Sequence, residues 1–260
     1  MISIKSSKMR LKLVRSLLTR STNMWIDELT SCLENVGLKY QYAKANLGPI
    51  DFLRKLPLDA RIQNIRSLDY SKITSHDFSQ GITDIDCNWS SEPEVARFIG
   101  DLVYNLSSGC VVETGCFVGF GSAHLATALC ELGPKRDLFV VDVDKRFLEI
   151  TKKNLDSLSL GKMSLHLIEG KTWDPNVLES IPDNVDIIFL DSDHSYEGIK
   201  KELSCYLPKL SRDGLAIVHD SILWPGVRLA MLELPDAYEK ITFATSRGSG
   251  VSVIMHVKVA

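Results

Sequence analysis

From Gly109 onward the chain alternates short, continuously apolar runs with amphipathic ones, and this alternation constrains the fold more than any other feature. The apolar runs are Cys110 to Glu113, Leu138 to Asp142, Ser164 to Ile168, Val185 to Leu190 and Leu215 to Val218. Between them, Ser122 to Leu132, Lys145 to Leu158 and Tyr196 to Leu207 repeat apolar residues at helical spacing. Strands that are apolar on both faces must be covered on both faces, so strand, helix, strand in this rhythm predicts a doubly wound, mainly parallel α/β sheet. The end breaks the rhythm. Ile241 to Ala244 and Val251 to Val257 flank Arg247-Gly248-Ser249-Gly250, which predicts an antiparallel hairpin and brings the strand total to seven.

Residues 1 to 90 read as a helical extension or cap, and residues 91 to 260 as the main domain. Met9, Leu13, Leu17 and then Trp25, Leu29, Cys32 and Val36 recur at helical spacing. Asn46 to Pro57 and Ser71 to Trp89 are rich in turn formers and read as loops over the domain. Ser91 and Glu94 form an S-x-x-E capping signal for a helix whose stripe is Val95, Phe98, Ile99, Leu102, Val103 and Leu106. The first twenty residues carry six Lys or Arg and no acid. Their preferred reading is a solvated helix docked by its apolar side, against a membrane-surface segment or a presequence.

A net charge of -3 supplies no field for nucleic acid, and no run reads as an integral membrane segment. The six cysteines form no CxxC pair, and Cys110, Cys116, Cys130 and Cys205 sit in apolar runs, as buried reduced thiols do. That points to the cytoplasm rather than to a disulfide scaffold.

Ligands of such sheets bind beyond the carboxyl ends of the strands. The first strand ends in Glu113-Thr114-Gly115-Cys116-Phe117-Val118-Gly119-Phe120-Gly121, spaced G-x-x-x-G-x-G rather than as the dinucleotide fingerprint. An acid at that strand end suits an amine better than a pyrophosphate. The second strand ends in Asp142-Val143-Asp144, with Asp142 placed to hold ribose hydroxyls and Asp144 to cap the next helix. The third ends in Glu169-Gly170-Lys171-Thr172, a loop suited to lining an adenine pocket. The fourth ends in Asp191-Ser192-Asp193-His194-Ser195-Tyr196 and the fifth in His219-Asp220-Ser221. Carboxylates converging from neighbouring strand ends suit Mg²⁺, and His194 is placed to accept a hydroxyl proton near neutral pH. Asp193 or Ser195 reads equally as a helix cap, His219 as a satisfied buried histidine, and Trp224 as a packing residue with a lesser reading as a stacking surface.

ETGCFVGFG followed by FVVDVD resembles the first two motifs of the class I S-adenosylmethionine-dependent methyltransferases. The stretch from Asp191 to Ser221 is similar to a narrower group, the macrocin, mycinamicin and cephalosporin hydroxylase-like O-methyltransferases. The resemblance implies S-adenosylmethionine as cofactor, with Glu113 and Gly115 at its methionine end and Asp142 on its ribose. It extends the cofactor site to Gly119, Gly121, Ser122, Gly170, Lys171 and Asp191. It also implies Mg²⁺ at Asp191 and the pair after strand five, with His194 as base and Asp191 beside it. Here that pair is His219-Asp220, or Asp220-Ser221 in the alternative alignment, so Asp220 is common to both and the third ligand is open. The implied reaction is O-methylation of a small molecule or sugar by a homo-oligomer. The competing readings are a non-catalytic S-adenosylmethionine-binding protein and a nicotinamide-dependent dehydrogenase.

Overall fold

In the computed structural model, the structure describes residues 41–44 by their backbone, and residues 68–80, 82 and 84–256. The basic N-terminal segment, the helical repeat from Met9 to Val36 and the turn-rich stretch from Asn46 to Pro57 lie outside the described residues.

All seven expected strands form one sheet: β2 (Cys110–Thr114), β3 (Asp137–Asp142), β4 (Ser164–Glu169), β5 (Val185–Leu190), β6 (Leu210–His219), β7 (Tyr238–Ala244) and β8 (Val251–His256). An eighth strand, β1 (Gln41–Lys44), adds to the edge, parallel to β7. Four residues are too few to show a period, which is why the sequence gives no sign of β1. The order is β1-β7-β8-β6-β5-β2-β3-β4. β2, β3, β4, β5 and β6 run parallel, and β8 is antiparallel to both β6 and β7. The direction of winding reverses between β2 and β5, the switch point where such sheets open a crevice.

The two faces explain the continuous apolar runs. Val111, Leu138, Ile187 and Leu215 pack into one core layer, while their neighbours Val112, Phe139, Ile188 and Ala216 pack into the other. The first layer is closed by α2 (Pro93–Asn105), α3 (Phe120–Glu131) and α4 (Lys145–Ser157), the second largely by α6 (Tyr196–Tyr206) and α7 (Pro225–Leu232). Ile99 and Leu102 on α2 are completely buried, each contributing about 1.5–3 kcal/mol by removal from water.

Three local expectations change. The stretch from Ser71 to Trp89 is not all loop: it holds α1 (Ser75–Ser79) and a 3-10 turn at Cys87–Trp89. Tyr70, Ile73 and Phe78 belong to the core, and the Tyr70 hydroxyl donates to Asp101. The capping signal at Ser91 is not used as a cap. Glu92 is the N-cap of α2, with no side-chain cap bond, because Pro93 at the first turn already removes one orphan N–H. Short helices at α5 (Pro175–Glu179) and α7 also escaped the sequence pattern. Of the four described thiols only Cys116 is buried; Cys110, Cys130 and Cys205 are half-buried. No helix among the described residues is long and apolar enough to cross a membrane.

Candidate functional site

Two clefts meet at the switch point. One, of about 560 Å³, lies over the ends of β2, β3 and β4 and is lined by Gly115, Asp142, Gly170, Lys171, Asp191 and His194 among others. The second, of about 430 Å³, opens toward β6 and the terminal hairpin, between Trp89, Glu92, His219, Asp220, Trp224 and Arg247. Gly115, Phe117, Asp191 and His194 border both.

The first cleft is built from the glycine loop. Gly115 has φ +78, and a Cβ there would lie 2.2 Å from the Asp191 carbonyl oxygen. Only glycine lets the loop after β2 rest on the loop after β5. Gly119 at φ +81 starts α3, which begins at Phe120 rather than at Ser122 as expected. Asp142 ties the loop down: its Oδ2 accepts from the Cys116 and Phe117 N–H groups at 3.0 and 3.3 Å, and its Oδ1 from Asp144 N–H at 3.0 Å. With about four lone-pair sites per carboxylate, capacity for a hydroxyl remains mainly on Oδ1. Glu113 is buried and accepts from the Ser122 hydroxyl. Burial pushes its pKa up to about 8. A Cβ on Gly121 would fall 2.5 Å from Glu113 Oε1, so this glycine makes room for the acid. Ser122 is completely buried and acts on the site through Glu113. Asp144 caps α4 as expected, accepting from Arg146 N–H at 2.8 Å.

The second cleft is built from charged groups that converge from distant segments. His219, on the last residue of β6, is buried, with Nδ1 3.0 Å from Asp191 Oδ1 and Nε2 2.7 Å from Glu92 Oε2. Glu92 is 1% exposed and also accepts from the Thr245 and Ser249 hydroxyls of the hairpin. Burial alone would raise the Glu92 pKa, yet His219 and these hydroxyls hold it at about 2. The same opposition, won by His219 and His194, holds Asp191 at about 2. Both neighbours of the His219 ring are therefore anions, which requires both its nitrogens to carry hydrogen. Its pKa accordingly stands well above the ordinary value, against the effect of burial and owing first to Asp191.

His194 lies at the mouth of this cluster, with Nε2 2.8 Å from Asp220 Oδ2 and 3.5 Å from Asp191 Oδ1. Burial works to lower its pKa, but the two acids outweigh that and bring it to about 9. The expected base is thus mostly protonated at neutral pH, a correction that follows from the two carboxylates facing it. Trp224 stacks on the His194 ring with centroids 5.2 Å apart and planes 11° apart. Ser91, released from capping, donates to Asp191 Oδ2 at 3.0 Å. Ser195 caps α6, accepting from Gly198 N–H at 3.0 Å, and Asp193 accepts from Ser195 N–H at 2.8 Å.

The sequence reading brought Asp191, His194, His219 and Asp220 together correctly. It passed over Glu92, Thr245, Ser249 and Trp89, because a residue before a proline and residues in a hairpin loop carry no motif. Ser221 stands apart: its buried hydroxyl has no hydrogen-bond partner among the described residues, and it lies outside the group able to gather on a metal.

That group is Asp191, His219 and Asp220, whose donor atoms lie within 4.8 Å of one another. The residues nevertheless do not fit Mg²⁺. His219 has no lone pair to offer while both its nitrogens donate, which leaves only Asp191 and Asp220 of the three groups as ligands. Mg²⁺ also demands near-octahedral oxygen ligation, whereas two imidazoles stand among the acids here.

The first cleft does fit the implied cofactor, with a glycine loop and an acid with a free lone pair on the second strand; the uncharged acid of the first strand, Glu113, lines the adjoining second cleft. Residues 112–221 match a family described as a methyltransferase domain. Over 105 residues the chain is 33% identical to a protein of Sulfolobus acidocaldarius described as a probable cobalt-precorrin-6B C(15)-methyltransferase (decarboxylating), covering 40% of this chain and 50% of that one. The chain thus spans about half the length of the curated relative it matches. Among solved structures it is similar to the SAH-bound methyltransferase PaMTH1 of Podospora anserina, with a TM-score of 0.60, 14% identity, and coverage of 75% of this chain and 91% of that one. It is also similar to an O-methyltransferase from Bacillus cereus in complex with SAH, with a TM-score of 0.55, 14% identity, and coverage of 72% and 99%. A third is the O-methyltransferase TomG from Streptomyces achromogenes in complex with SAM, with a TM-score of 0.55, 16% identity, and coverage of 81% and 96%.

Proposed function

We propose that this chain, which carries a methyltransferase domain on the class I fold, transfers a methyl group from S-adenosylmethionine to a hydroxyl of a small molecule or sugar. The observation that carries the reading is the junction of the two clefts at Asp191 and His194. One cleft has the groups to hold the cofactor, and the other opens onto solvent beside a titratable base.

When bound, S-adenosylmethionine supplies an electrophilic methyl group on a positively charged sulfur, and that charge favours the neutral form of a nearby imidazole. The chain's own part is to hold, orient and deprotonate. Asp142 offers Oδ1 to a ribose hydroxyl, Gly170 and Lys171 line the far end, and Glu113 offers its carboxyl to an amine. His194 takes the acceptor's proton at the ring nitrogen that does not face Asp191 and Asp220, whose oxygens, with the Trp224 face, fix its ring. Holding donor and acceptor in line supplies much of the rate, and the base about 10²–10⁴-fold more. Since His194 sits at about 9, kcat/KM should rise with pH through the neutral range.

Trp89 at 68% exposure and Trp224 at 46% stand on the rim of the second cleft. Exposed indoles at a cleft mouth suit the face of a ring or sugar. Residues 1–90 are read as an extension of the catalytic unit 91–260 that supplies this rim and a surface for self-association.

The test is calorimetric titration with S-adenosylmethionine and S-adenosylhomocysteine, followed by transfer of labelled methyl to a panel of hydroxylated acceptors. Binding that Asp142→Ala weakens, with label passing to oxygen, supports the reading. No binding of either compound overturns it. Label passing to carbon instead would move the reading toward the chemistry named for the Sulfolobus acidocaldarius relative.

A further inference from the structure

The site described above is threaded by a run of six groups, of which only His194 and Asp191 enter the proposed reaction. Thr245 and Ser249 on the hairpin donate to Glu92, Glu92 faces His219, His219 faces Asp191, and Asp191 faces His194. Every joint up to Asp191 crosses between segments remote in sequence, since Glu92 caps α2, His219 ends β6 and Asp191 follows β5; the last, from Asp191 to His194, spans three residues. A buried histidine between one buried and one half-buried carboxylate is an expensive arrangement to desolvate, and it breaks badly if one partner is removed. Its persistence in the middle of the site calls for a function.

We propose that the Glu92–His219 pair takes the place of a divalent cation at this site, so that the protein works without a metal. The geometry supplies what a cation would supply. His219 sets a fixed positive charge against Asp191 Oδ1 at 3.0 Å, and Ser91 holds Oδ2 at 3.0 Å, so the carboxylate can neither rotate nor take a proton easily. Held in that state, Asp191 shares with Asp220 the positioning of His194. Glu92 in turn prevents His219 from releasing a proton and turning a lone pair toward the acids. Glu92 and His219 are positioning residues: both act through Asp191. That the protein works without a metal rests on the methyltransferase reading, whereas the charge assignment tested below does not.

The experiment uses the full chain after chelator treatment and dialysis. Calorimetric titration with MgCl₂, MnCl₂ and ZnCl₂ at pH 7.5 should give no saturable heat. Nitrogen-15 spectra of the histidine rings should show His219 carrying both protons from pH 6 to pH 9. In Glu92→Gln the same ring should lose one proton within that range, a change that a merely space-filling Glu92 would not produce. His219→Asp, which turns the triad into three carboxylates, should acquire saturable Mg²⁺ binding. Saturable binding of any of the three metals to wild type, abolished by Asp191→Asn, overturns the proposal, and so does a neutral His219 at pH 7.5. The wild-type measurements need no variant to fold and no cofactor to bind. A protein that fails to bind S-adenosylmethionine yet keeps a doubly protonated His219 would refute the function and leave the charge assignment standing.

Discussion

The two clefts share a border but are assembled in opposite ways. Around the glycine loop the partners are near in sequence: Ser122 lies nine residues from Glu113, and Cys116 lies 26 from Asp142. Backbone N–H groups and glycines carry much of that design. In the second cleft the partners are remote, with Ser91 and Asp191 100 positions apart, Glu92 and His219 127, and Glu92 and Ser249 157. Charged side chains carry that design. The difference teaches that one side is a property of a strand and its turn, whereas the other exists only once three segments have docked.

The sharpest way to break the comparison is to remove the base. His194→Gln should lower kcat about 10²–10⁴-fold and leave the affinity for S-adenosylhomocysteine within a few-fold, measured by calorimetry. If affinity collapses along with turnover, the clefts are not separable. Next in size is stability. Glu92→Ala strands His219 with one buried partner and should cost about 3–5 kcal/mol in denaturant unfolding. Ser122→Ala, which removes one donor to an uncharged Glu113, should cost about 1–3 kcal/mol. Equal losses would mean that the charged cluster is no more costly to open than the local one.

Smaller is the pH response of thermal stability, in which Asp191 and Glu92 differ in sign from His194 and Glu113. Asp191 and Glu92, held at about 2 against ordinary values of 3.8 and 4.5, add stability that is present above those values and is lost as pH falls toward 2. His194, raised from 6.5 to about 9, adds stability that is complete below 6.5 and is lost as pH climbs to 9. Glu113, raised from 4.5 to about 8, keeps its proton in the fold, so stability declines as pH rises between those values. The melting temperature should therefore be highest at about pH 4.5, and Glu113→Gln should flatten the decline below pH 8 without touching the acid limb. The smallest effect is a proton count. An amine arriving beside Glu113 favours its ionised form, so cofactor binding at pH 7 should release a fraction of a proton, read from calorimetry in buffers of different ionisation enthalpy. Glu113→Gln should remove that release.

Much of the fold was legible because it rests on period. Continuous apolar strands such as Val185–Leu190 can only sit between two covered faces, and Val111 and Val112 indeed point into different core layers. The glycine loop was legible because positive φ at Gly115 and Gly119 leaves few other residues. The helix caps at Asp144 and Ser195 were legible for the same local reason. Ser91 was misread because a hydroxyl three residues before an acid looks like a cap wherever it stands. Only its approach to Asp191 shows otherwise.

By itself, then, the sequence determined the strand and helix rhythm, the turn at the first strand end and the set of acids and histidines along the rim. Those follow from interactions within a few residues, which the chain carries wherever it goes. Tertiary structure alone decided that Glu92 meets His219, that Asp191 is ionised while Glu113 is not, and that His194 is a cation at rest. Protonation depends on which charges lie within a few ångströms and how much water is excluded, and neither is known until the α2 entrance, the β6 end and the terminal hairpin close on one another.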